Sequence, residues 1–337
     1  MTAELRVGVV GAGTMGETHV AAWAAEAAPV TVFSQDARRA SALSATFGAA
    51  VVGSIEELLA NVDIVDICTP TDHHLEMTIA AAAAGRHVIC EKPLARTVAD
   101  AERMVATCAA AGVRLFVAHV VRFFPEYALA HQAVVDGAIG EPAVLRLKRA
   151  TARPRLPGDH WLFDPTRSGG MILDFMIHDF DYARWIAGDV ESVHCRSVGA
   201  ERPELGVEHA VAFLRHVSGA ISQVSGSWAY SGPVFRTAFE IGGSHGLIEQ
   251  DSEVGRPLVA YLHAGPTAEE RPVGLPASPV DEDPYRLELR EFYRAIVDGS
   301  PARVGPSDGV EAVRIALAAA ESARTGRRVD VARGGPD

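Results

Sequence analysis

The chain has 337 residues, which is more than one hydrophobic core usually organises and suits two domains. Hydrophobic residues make up 48% of it and charged residues 22%, a balance that excludes a disordered chain and is typical of globular proteins. The formal net charge of -12 disfavours nucleic acids and anionic membranes as partners.

The cysteines and the apolar runs predict a reduced, cytoplasmic protein. None of the four cysteines forms a Cys-x-x-Cys pair, and three of them lie in apolar stretches, where cysteine usually packs as a small hydrophobic residue. The first residues do not show the pattern of a signal peptide, and no apolar run reaches the length that spans a bilayer. No group of residues has metal-ligand spacing, so we expect no metal.

The first 122 residues alternate short apolar runs with stretches of helix-forming composition. The runs predict strands at Leu5–Val10, Val30–Phe33, Val51–Val52, Val62–Cys68, His87–Cys90 and Val113–Ala118. Helices are predicted between them at Ala12–Ala27, Ala37–Phe47, Ile55–Ala60, Leu75–Ala84 and Val98–Ala111, with Asp36 and Ser54 as N-caps. This order predicts a doubly wound parallel sheet, that is, a Rossmann domain over residues 1–122.

The rhythm changes after Arg122, and residues 123–337 are predicted to form a second, α+β domain with an open, mostly antiparallel sheet. Its predicted strands are Val144–Ala150, Val190–Val198, His209–His216, Ala220–Trp228, Thr237–Gly242 and Leu258–Leu262. Its predicted helices are Pro125–Asp136, Gly170–Ala187, Pro284–Asp298 and Asp308–Thr325, with an exposed loop at Ala264–Pro284.

A complete Gly-x-Gly-x-x-Gly loop follows the first strand and opens the first helix. Its residues are Gly11, Ala12, Gly13, Thr14, Met15 and Gly16. In this context Gly11 permits a tight turn, Gly13 lets the backbone approach a pyrophosphate, and Gly16 lets helix and strand pack closely. The N-terminus of the helix then faces the anion, so the loop predicts dinucleotide binding, and its position disfavours a turn without a ligand.

The end of the second strand bears on the choice between NAD and NADP, because a carboxylate there accepts from the ribose 2′-hydroxyl of NAD. Strand geometry puts Ser34 at the tip, followed by Gln35, and Asp36 is explained at least as well as a helix N-cap. Ser34 does not repel a 2′-phosphate, and Arg38 or Arg39 can neutralise one. The sequence therefore favours NADP, with NAD as the alternative.

Two further segments carry a family resemblance. They are Val88–Pro93, which contains Glu-Lys-Pro, and Ser168–Asp179, which contains Gly-Gly-x-x-x-Asp-x-x-x-His. Together with the glycine loop they resemble the glucose–fructose oxidoreductase, inositol dehydrogenase and rhizopine-catabolism family (Gfo/Idh/MocA). The resemblance covers nearly the whole chain and also includes Cys68-Thr69-Pro70, His74, Arg122–Tyr127 and Tyr285–Gly326.

The resemblance implies a sugar, an inositol or a related polyol as substrate, and it implies that Lys92, Asp174 and His178 face the nicotinamide. The expected cofactor contacts are Gly11, Gly13, Thr14, Met15, Gly16, Ser34, Gln35, Arg38, Arg39, Thr69, Pro70, His74, Glu91 and Lys92. The expected substrate-pocket residues are Arg122, Tyr127, Trp161 and Tyr285, for which ordinary packing is the alternative. Relatives bury the open sheet face against another subunit, which implies a homodimer or homotetramer.

Hydride transfer from a carbinol needs a base for the hydroxyl proton and a positive group beside the developing alkoxide. His178 fits the base, because imidazole ordinarily titrates near neutral pH. Asp174 precedes it by four residues, so on one helix both side chains share a face and the carboxylate can orient the imidazole. Lys92 follows a buried strand at the end where open α/β sheets bind ligands. The ordinary alternatives are a solvated lysine and a surface helix pair.

Two other functions stay open. The first is redox-assisted glycoside cleavage, which begins with the same hydride transfer. The transient ketone that this transfer forms acidifies a neighbouring C–H and allows elimination. A non-catalytic sugar sensor on this fold is the other, and the intact set of Lys92, Asp174 and His178 argues against it. No motif specifies the sugar, the carbon oxidised or the direction of the reaction.

Overall fold

A computed structural model describes residues 5–199, 206–230, 235–252 and 283–331. The chain divides into two compact units, the first Met1–Pro125 with Ser278–Val313 and the second Glu126–Ala277 with Arg314–Asp337. The sequence predicted one domain boundary, at residues 122–123. The first unit also includes the late segment Ser278–Val313, which the prediction assigned to the second domain. The predicted strand Leu258–Leu262 and residues 264–282 of the predicted loop lie outside the described residues.

The first unit contains a parallel sheet whose strands alternate with helices. The strands β1 to β6 are Val7–Val10, Val30–Phe33, Ala50–Val51, Ile64–Ile67, His87–Glu91 and Leu115–Ala118. The helices α1 to α5 are Thr14–Ala25, Ala37–Phe47, Ile55–Asn61, His74–Ala83 and Val98–Ala110. The strand order is β3-β2-β1-β4-β5-β6 with every pair parallel, which confirms the predicted Rossmann fold. The strand order reverses between β1 and β4, and open α/β sheets usually bind ligands beyond the carboxyl ends of the strands at such a point.

Local sequence signals explain these elements. Every residue of β1 and β4 is buried, as a sheet covered on both faces requires. Asp36 Oδ1 accepts the N–H of Arg39, and Ser54 Oγ accepts the N–H of Glu57, so both predicted N-caps are confirmed. These caps fix where α2 and α3 begin.

The second unit contains a seven-stranded sheet. The strands β7 to β13 are Pro142–Ala152, Val190–Val198, His209–His216, Ile221–Tyr230, Arg236–Gly243, Leu247–Asp251 and Val329–Asp330. The helices α6 to α11 of the rest of the chain are Pro125–Val135, Pro165–Ser168, Gly170–Asp174, Ile177–Ala187, Pro284–Asp298 and Pro306–Thr325. The strand order is β12-β11-β7-β10-β9-β8-β13, and β7 pairs with β10 in parallel whereas the other described pairs are antiparallel. The predicted mostly antiparallel sheet is confirmed.

Helix α10 is the reason why the first unit includes a late segment. The Phe292 ring stacks on Phe116 of β6 with 4.9 Å between centroids and meets Phe123 edge-on at 5.8 Å. The sequence predicted this helix at Pro284–Asp298 but grouped it with the second domain. Periodicity identifies the apolar face of a helix and not the sheet which that face covers.

The two faces of the seven-stranded sheet differ in exposure. On β9 the side chains of Ala210, Ala212 and Leu214 are buried, whereas Phe213 between them is 50% exposed. This alternation is the pattern of a sheet with one covered and one open face. Within the described ranges, no helix has the length and apolar character needed to cross a bilayer.

Candidate active site

The glycine loop joins β1 to α1, and its glycines have different roles. Gly11 has φ +108°, and a Cβ there would lie 2.6 Å from the carbonyl oxygen of Cys68. A Cβ on Gly16 would lie 2.1 Å from the carbonyl oxygen of Gly11, whereas a Cβ on Gly13 would meet nothing within 4 Å. Gly11 and Gly16 therefore hold the loop closely packed, and the backbone at Gly13 stays open to a phosphate.

The first turn of α1 suits an anion. Its N-cap is Gly13, which has no side chain to accept from the first N–H groups, whereas α2, α3 and α5 are capped by Asp36, Ser54 and Thr97. Uncapped N–H groups and the positive end of the helix dipole attract a diphosphate. The loop and this helix together fit the pyrophosphate of a dinucleotide.

We expect Gly13→Val to weaken cofactor binding at least about a hundredfold, about 2.8 kcal/mol, because its methyl groups fill the space that the pyrophosphate must enter. Gly13 has φ -76° and ψ -168°, which valine adopts, so the free energy of unfolding should change by less than about 1 kcal/mol. Cofactor titration by fluorescence and thermal melting measure the two effects. Gly16→Val is the matched control and should lower the melting temperature. Unchanged cofactor affinity in Gly13→Val contradicts the assignment.

The end of β2 carries Ser34, whose Oγ accepts the N–H of Asp36 at 3.1 Å. The Asp36 carboxylate caps α2 and lies 3.5 Å from the Arg39 guanidinium. Gln35 and Arg38 are exposed. Asp36 is therefore engaged as an N-cap and pairs with Arg39, and both Arg38 and Arg39 are exposed cations at this turn.

Lys92 lies directly after β5, at the carboxyl end of the strand. It is half-buried, whereas the residues on both sides of it, Glu91 and Pro93, are buried. The backbone N–H of Lys92 donates to Oε2 of Glu91 at 3.0 Å. Thr69 and Pro70 follow β4 closely and are also half-buried. Because β4 and β5 are parallel neighbours, these residues share one edge of the sheet.

His74 connects the loops that follow β4 and β5. Its Nδ1 lies 2.9 Å from the carbonyl oxygen of Pro93, and its Nε2 lies 3.1 Å from that of Thr69. Burial lowers the pKa of His74, so the ring is neutral and donates through one nitrogen. The ring is only 1% exposed, which favours support of the two loops over direct contact with a cofactor.

Asp174 and His178 lie on two helices, α8 and α9, and not on one. The predicted continuous helix Gly170–Ala187 is interrupted at Met176, whose N–H bonds to the carbonyl oxygen of Met171, five residues back. The buried Met176 side chain packs against Gly226 of β10. A Cβ on Gly226 would lie only 2.3 Å from Met176 Cγ, so the glycine leaves room for the methionine at the break. A spacing of four residues therefore does not establish a common face, which corrects the prediction.

Exposure sets Asp174 and His178 apart from their neighbours. Between Met171 and Phe180 these two residues are half-buried and all the others are buried. Asp179, next to His178, is 1% exposed and receives two bonds from Arg149 of β7, at 2.7 and 3.1 Å. Burial raises the pKa of Asp179, and the Arg149 guanidinium offsets part of that rise. This pair anchors the first turn of α9, on which His178 stands.

Two of the residues expected in the substrate pocket are interior residues. Arg122 is 2% exposed, and its guanidinium lies 3.2 Å from Asp308. Tyr127 is also 2% exposed, its ring meets Tyr182 edge-on at 4.8 Å, and burial raises its pKa to about 12. Neither presents surface to a ligand, so the structure does not support their expected substrate contacts. Long-range packing, which no local motif reveals, determines both positions.

The other two expected pocket residues differ from each other. Trp161 opens a short 3-10 helix and is half-buried. Tyr285 lies in the first turn of α10, in the first compact unit, and is 7% exposed with its ring centroid 6.4 Å from that of His19. Trp161 therefore keeps the exposure that a pocket residue needs, whereas Tyr285 mainly packs.

Sequence reasoning missed a buried group of ionisable residues in the first unit. The side-chain polar atoms of His19, Asp66 and Cys68 lie within 4.8 Å of one another. His19 Nδ1 is 2.9 Å from Asp66 Oδ2 and 3.4 Å from Cys68 Sγ, both within hydrogen-bonding distance. The signal for it is Asp66, a carboxylate in a strand that is otherwise apolar. A charge in such a strand needs buried partners.

Comparisons with known proteins agree with this geometry. The family model for the Gfo/Idh/MocA oxidoreductases with an NAD-binding Rossmann fold matches residues 5–119, and the model of the family's C-terminal domain matches residues 127–249. The chain belongs to the Gfo/Idh/MocA family. It is therefore an oxidoreductase with an NAD-binding Rossmann domain.

The family relatives include named sugar and inositol enzymes. The chain is 34% identical to a 1,5-anhydro-D-fructose reductase of Ensifer adhaerens, over 98% of this chain and 99% of the relative. It is 35% identical to a myo-inositol 2-dehydrogenase of Thermotoga maritima, over 80% of each. A levoglucosan dehydrogenase solved with NADH and L-sorbose has a TM-score of 0.81 and 26% identity, over 98% of this chain and 99% of that one.

Proposed function

We propose that this oxidoreductase transfers a hydride between NAD(P) and a secondary hydroxyl or ketone of a sugar, an inositol or a related polyol. The observation that carries the proposal is the partial exposure of Asp174 and His178 within an otherwise buried segment. Lys92, half-buried at the carboxyl end of β5, supports it. The relatives named for anhydrofructose, inositol and levoglucosan support the substrate class.

Each residue of the proposed site has one task. His178 holds and transfers the hydroxyl proton at Nε2, because its Nδ1 is buried. The Asp174 carboxylate stabilises the imidazolium, and the Lys92 ammonium stabilises the developing alkoxide. When bound at the glycine loop, the nicotinamide cofactor accepts or donates the hydride.

A substrate screen tests this function. Inositols, pyranoses, anhydro sugars and amino sugars are incubated with NAD and NADP in both directions, and the reduced-nicotinamide absorbance is followed. Net reduction or oxidation of added cofactor supports the proposal. Cleavage of a glycoside without net turnover of cofactor favours the redox-assisted lyase, and sugar binding without turnover favours the sensor.

We propose a preference for NADP, with NAD as the alternative. Ser34 presents no carboxylate to a 2′-phosphate, and Asp36 is engaged as the N-cap of α2 and with Arg39. Arg38 is exposed at the same turn and can neutralise a phosphate. NAD is the alternative because the similar levoglucosan dehydrogenase was solved in complex with NADH.

Ser34→Asp should shift the ratio of kcat/KM for the two cofactors toward NAD by at least about tenfold, about 1.4 kcal/mol. The new carboxylate accepts from a 2′-hydroxyl and repels a 2′-phosphate. Ser34→Asn is the matched control, since asparagine has nearly the shape of aspartate but no charge. Its ratio of kcat/KM for the two cofactors should stay near that of the wild type. A wild-type preference for NAD of about tenfold or more contradicts the proposal.

We propose a homodimer or homotetramer that buries the open face of the seven-stranded sheet. Phe213 is 50% exposed and Ile221 is 52% exposed on this face, and Val144, beside Ile221 in the register, is 40% exposed. Apolar side chains grouped in this way favour a covering partner.

Phe213→Glu should weaken self-association at least about tenfold, because it places a charge in the proposed interface. Light scattering at micromolar concentrations measures the mass. Leu129→Glu on α6, where Leu129 is 70% exposed, is the matched control and should leave the mass unchanged. A stable wild-type monomer contradicts the proposal.

A further inference from the structure

Four buried ionisable side chains meet in the first unit. His19 of α1, Asp66 of β4 and Glu288 of α10 are 0% exposed, and Glu91 of β5 is 5% exposed. His19 Nδ1 lies 2.9 Å from Asp66 Oδ2, and His19 Nε2 faces Glu91 Oε1 at 3.1 Å, an ion-pair contact outside hydrogen-bond geometry. Trp23 Nε1 donates to the same Asp66 oxygen at 2.8 Å. His19 thus stands between two carboxylates.

The charges of this group alternate. Burial alone lowers the pKa of His19, but the Asp66 carboxylate and the Cys68 thiol together outweigh that effect and hold the pKa well above its usual value. The two carboxylates beside the ring favour the imidazolium form of His19, in which both ring nitrogens carry protons. A buried cation between two carboxylates offsets the desolvation of all three groups, so loss of one partner leaves a charge uncompensated.

Glu288 is the neutral member of the group. Burial first, and then the Glu91 carboxylate, raise the pKa of Glu288 well above its usual value, so it is protonated at neutral pH. Its oxygens have no hydrogen-bond partner among the described residues. A neutral Glu288 adds no further negative charge beside Glu91.

Glu91 links this group to Lys92. One of its carboxylate oxygens faces the His19 imidazolium, and the other accepts the backbone N–H of Lys92 at 3.0 Å. Glu91 is the last residue of β5 and Lys92 the first beyond it. One carboxylate therefore contacts both the His19 ring and the backbone N–H of Lys92.

We propose that His19 is a positioning residue for Lys92, acting through the Glu91 carboxylate. The imidazolium holds one oxygen of Glu91, so the other oxygen holds the peptide that carries Lys92. The proposal rests on the role of Lys92 in the proposed function. It assigns to α1 a second task besides phosphate binding, carried out three residues beyond Gly16.

The chain offers a direct readout, since it contains two lysines, Lys92 and Lys148. Reductive methylation with isotope-labelled formaldehyde marks both amines for NMR, and Lys148 of β7 in the second unit is the internal reference. His19→Gln should shift the Lys92 methyl resonance at neutral pH and leave that of Lys148 in place. It should lower kcat by about tenfold to a hundredfold with the KM for cofactor within about threefold, as expected for a misplaced group.

Two further variants keep the test decisive. Glu91→Gln keeps an acceptor for the Lys92 N–H but loses the charge that holds His19, so it should reproduce the resonance shift if His19→Gln does not fold. Trp23→Phe removes a hydrogen bond from the same Asp66 without changing any charge, so it should lower the melting temperature and leave the Lys92 resonance unchanged.

The results separate this inference from the proposed function. A His19→Gln protein that melts earlier but keeps the wild-type Lys92 resonance and kcat overturns the positioning role. The resonance is measured without substrate, so a shift in a protein that oxidises no sugar upholds the positioning and refutes only the proposed reaction.

Discussion

His178→Ala should lower kcat by roughly a hundredfold to ten-thousandfold, the usual cost of a missing acid–base group. Cofactor affinity should stay within about threefold of the wild type, because the substitution leaves the glycine loop, the proposed diphosphate site, unchanged. Oxidation needs His178 neutral and reduction needs it protonated, so wild-type rates in the two directions should respond to pH in opposite senses. His178→Ala should remove that response. Steady-state kinetics in both directions and cofactor titration measure these effects.

The rival explanation is that Asp174 and His178 only stabilise the fold. On that view their replacement lowers the melting temperature and leaves kcat of the folded enzyme near normal. Asp174→Asn should instead lower kcat, since an amide does not balance an imidazolium charge. Asp179→Asn is the structural control, because it breaks the buried pair with Arg149 and should cost about 3–5 kcal/mol of stability. Kinetics and melting on the same preparations distinguish the two explanations.

The first unit was predictable because its signals are local. The β-branched strand before Gly11, the N-caps Asp36 and Ser54 and the glycines of the loop each specify a turn, a cap or a strand within a few residues. The motif around Lys92 placed this lysine after a strand in the same way, and it directly follows β5. Such signals do not depend on what packs against them.

The missed features depend on distant packing. Strand β12 has polar residues at Glu249, Gln250 and Asp251 and is defined by its pairing with β11 and not by an apolar run. The Met176 side chain, at the break between α8 and α9, packs against Gly226, fifty residues later, where the missing Cβ leaves room for it. Periodicity within a window contains neither partner.

Burial of polar residues was the least predictable property. Arg122 belongs to a motif-like segment, yet its guanidinium pairs with Asp308 of α11 inside the first unit. His19 lies on the helix that follows the glycine loop, and its buried partners Asp66 and Glu91 come from two strands elsewhere in the chain. A buried charge needs buried partners, and these partners come from distant parts of the chain, so the local sequence does not predict it.

Lys92→Ala should lower kcat by roughly a hundredfold to a thousandfold, because the developing alkoxide loses its positive partner. Lys92→Arg keeps the charge but replaces a compact ammonium with a planar guanidinium, so it should recover only part of the rate. Lys148→Ala, at the second of the two lysines, is the matched control and should leave kcat unchanged.

The double variant Lys92→Ala with His178→Ala provides the sharpest test of a shared site. If both side chains serve one proton and one oxygen, the loss of either already disables that step, and the combined loss should be far smaller than the product of the two single losses. Independent roles predict that the two losses multiply. A double variant whose kcat equals the product of the single effects, with cofactor affinity intact, contradicts action at the same hydroxyl even if each single variant is impaired.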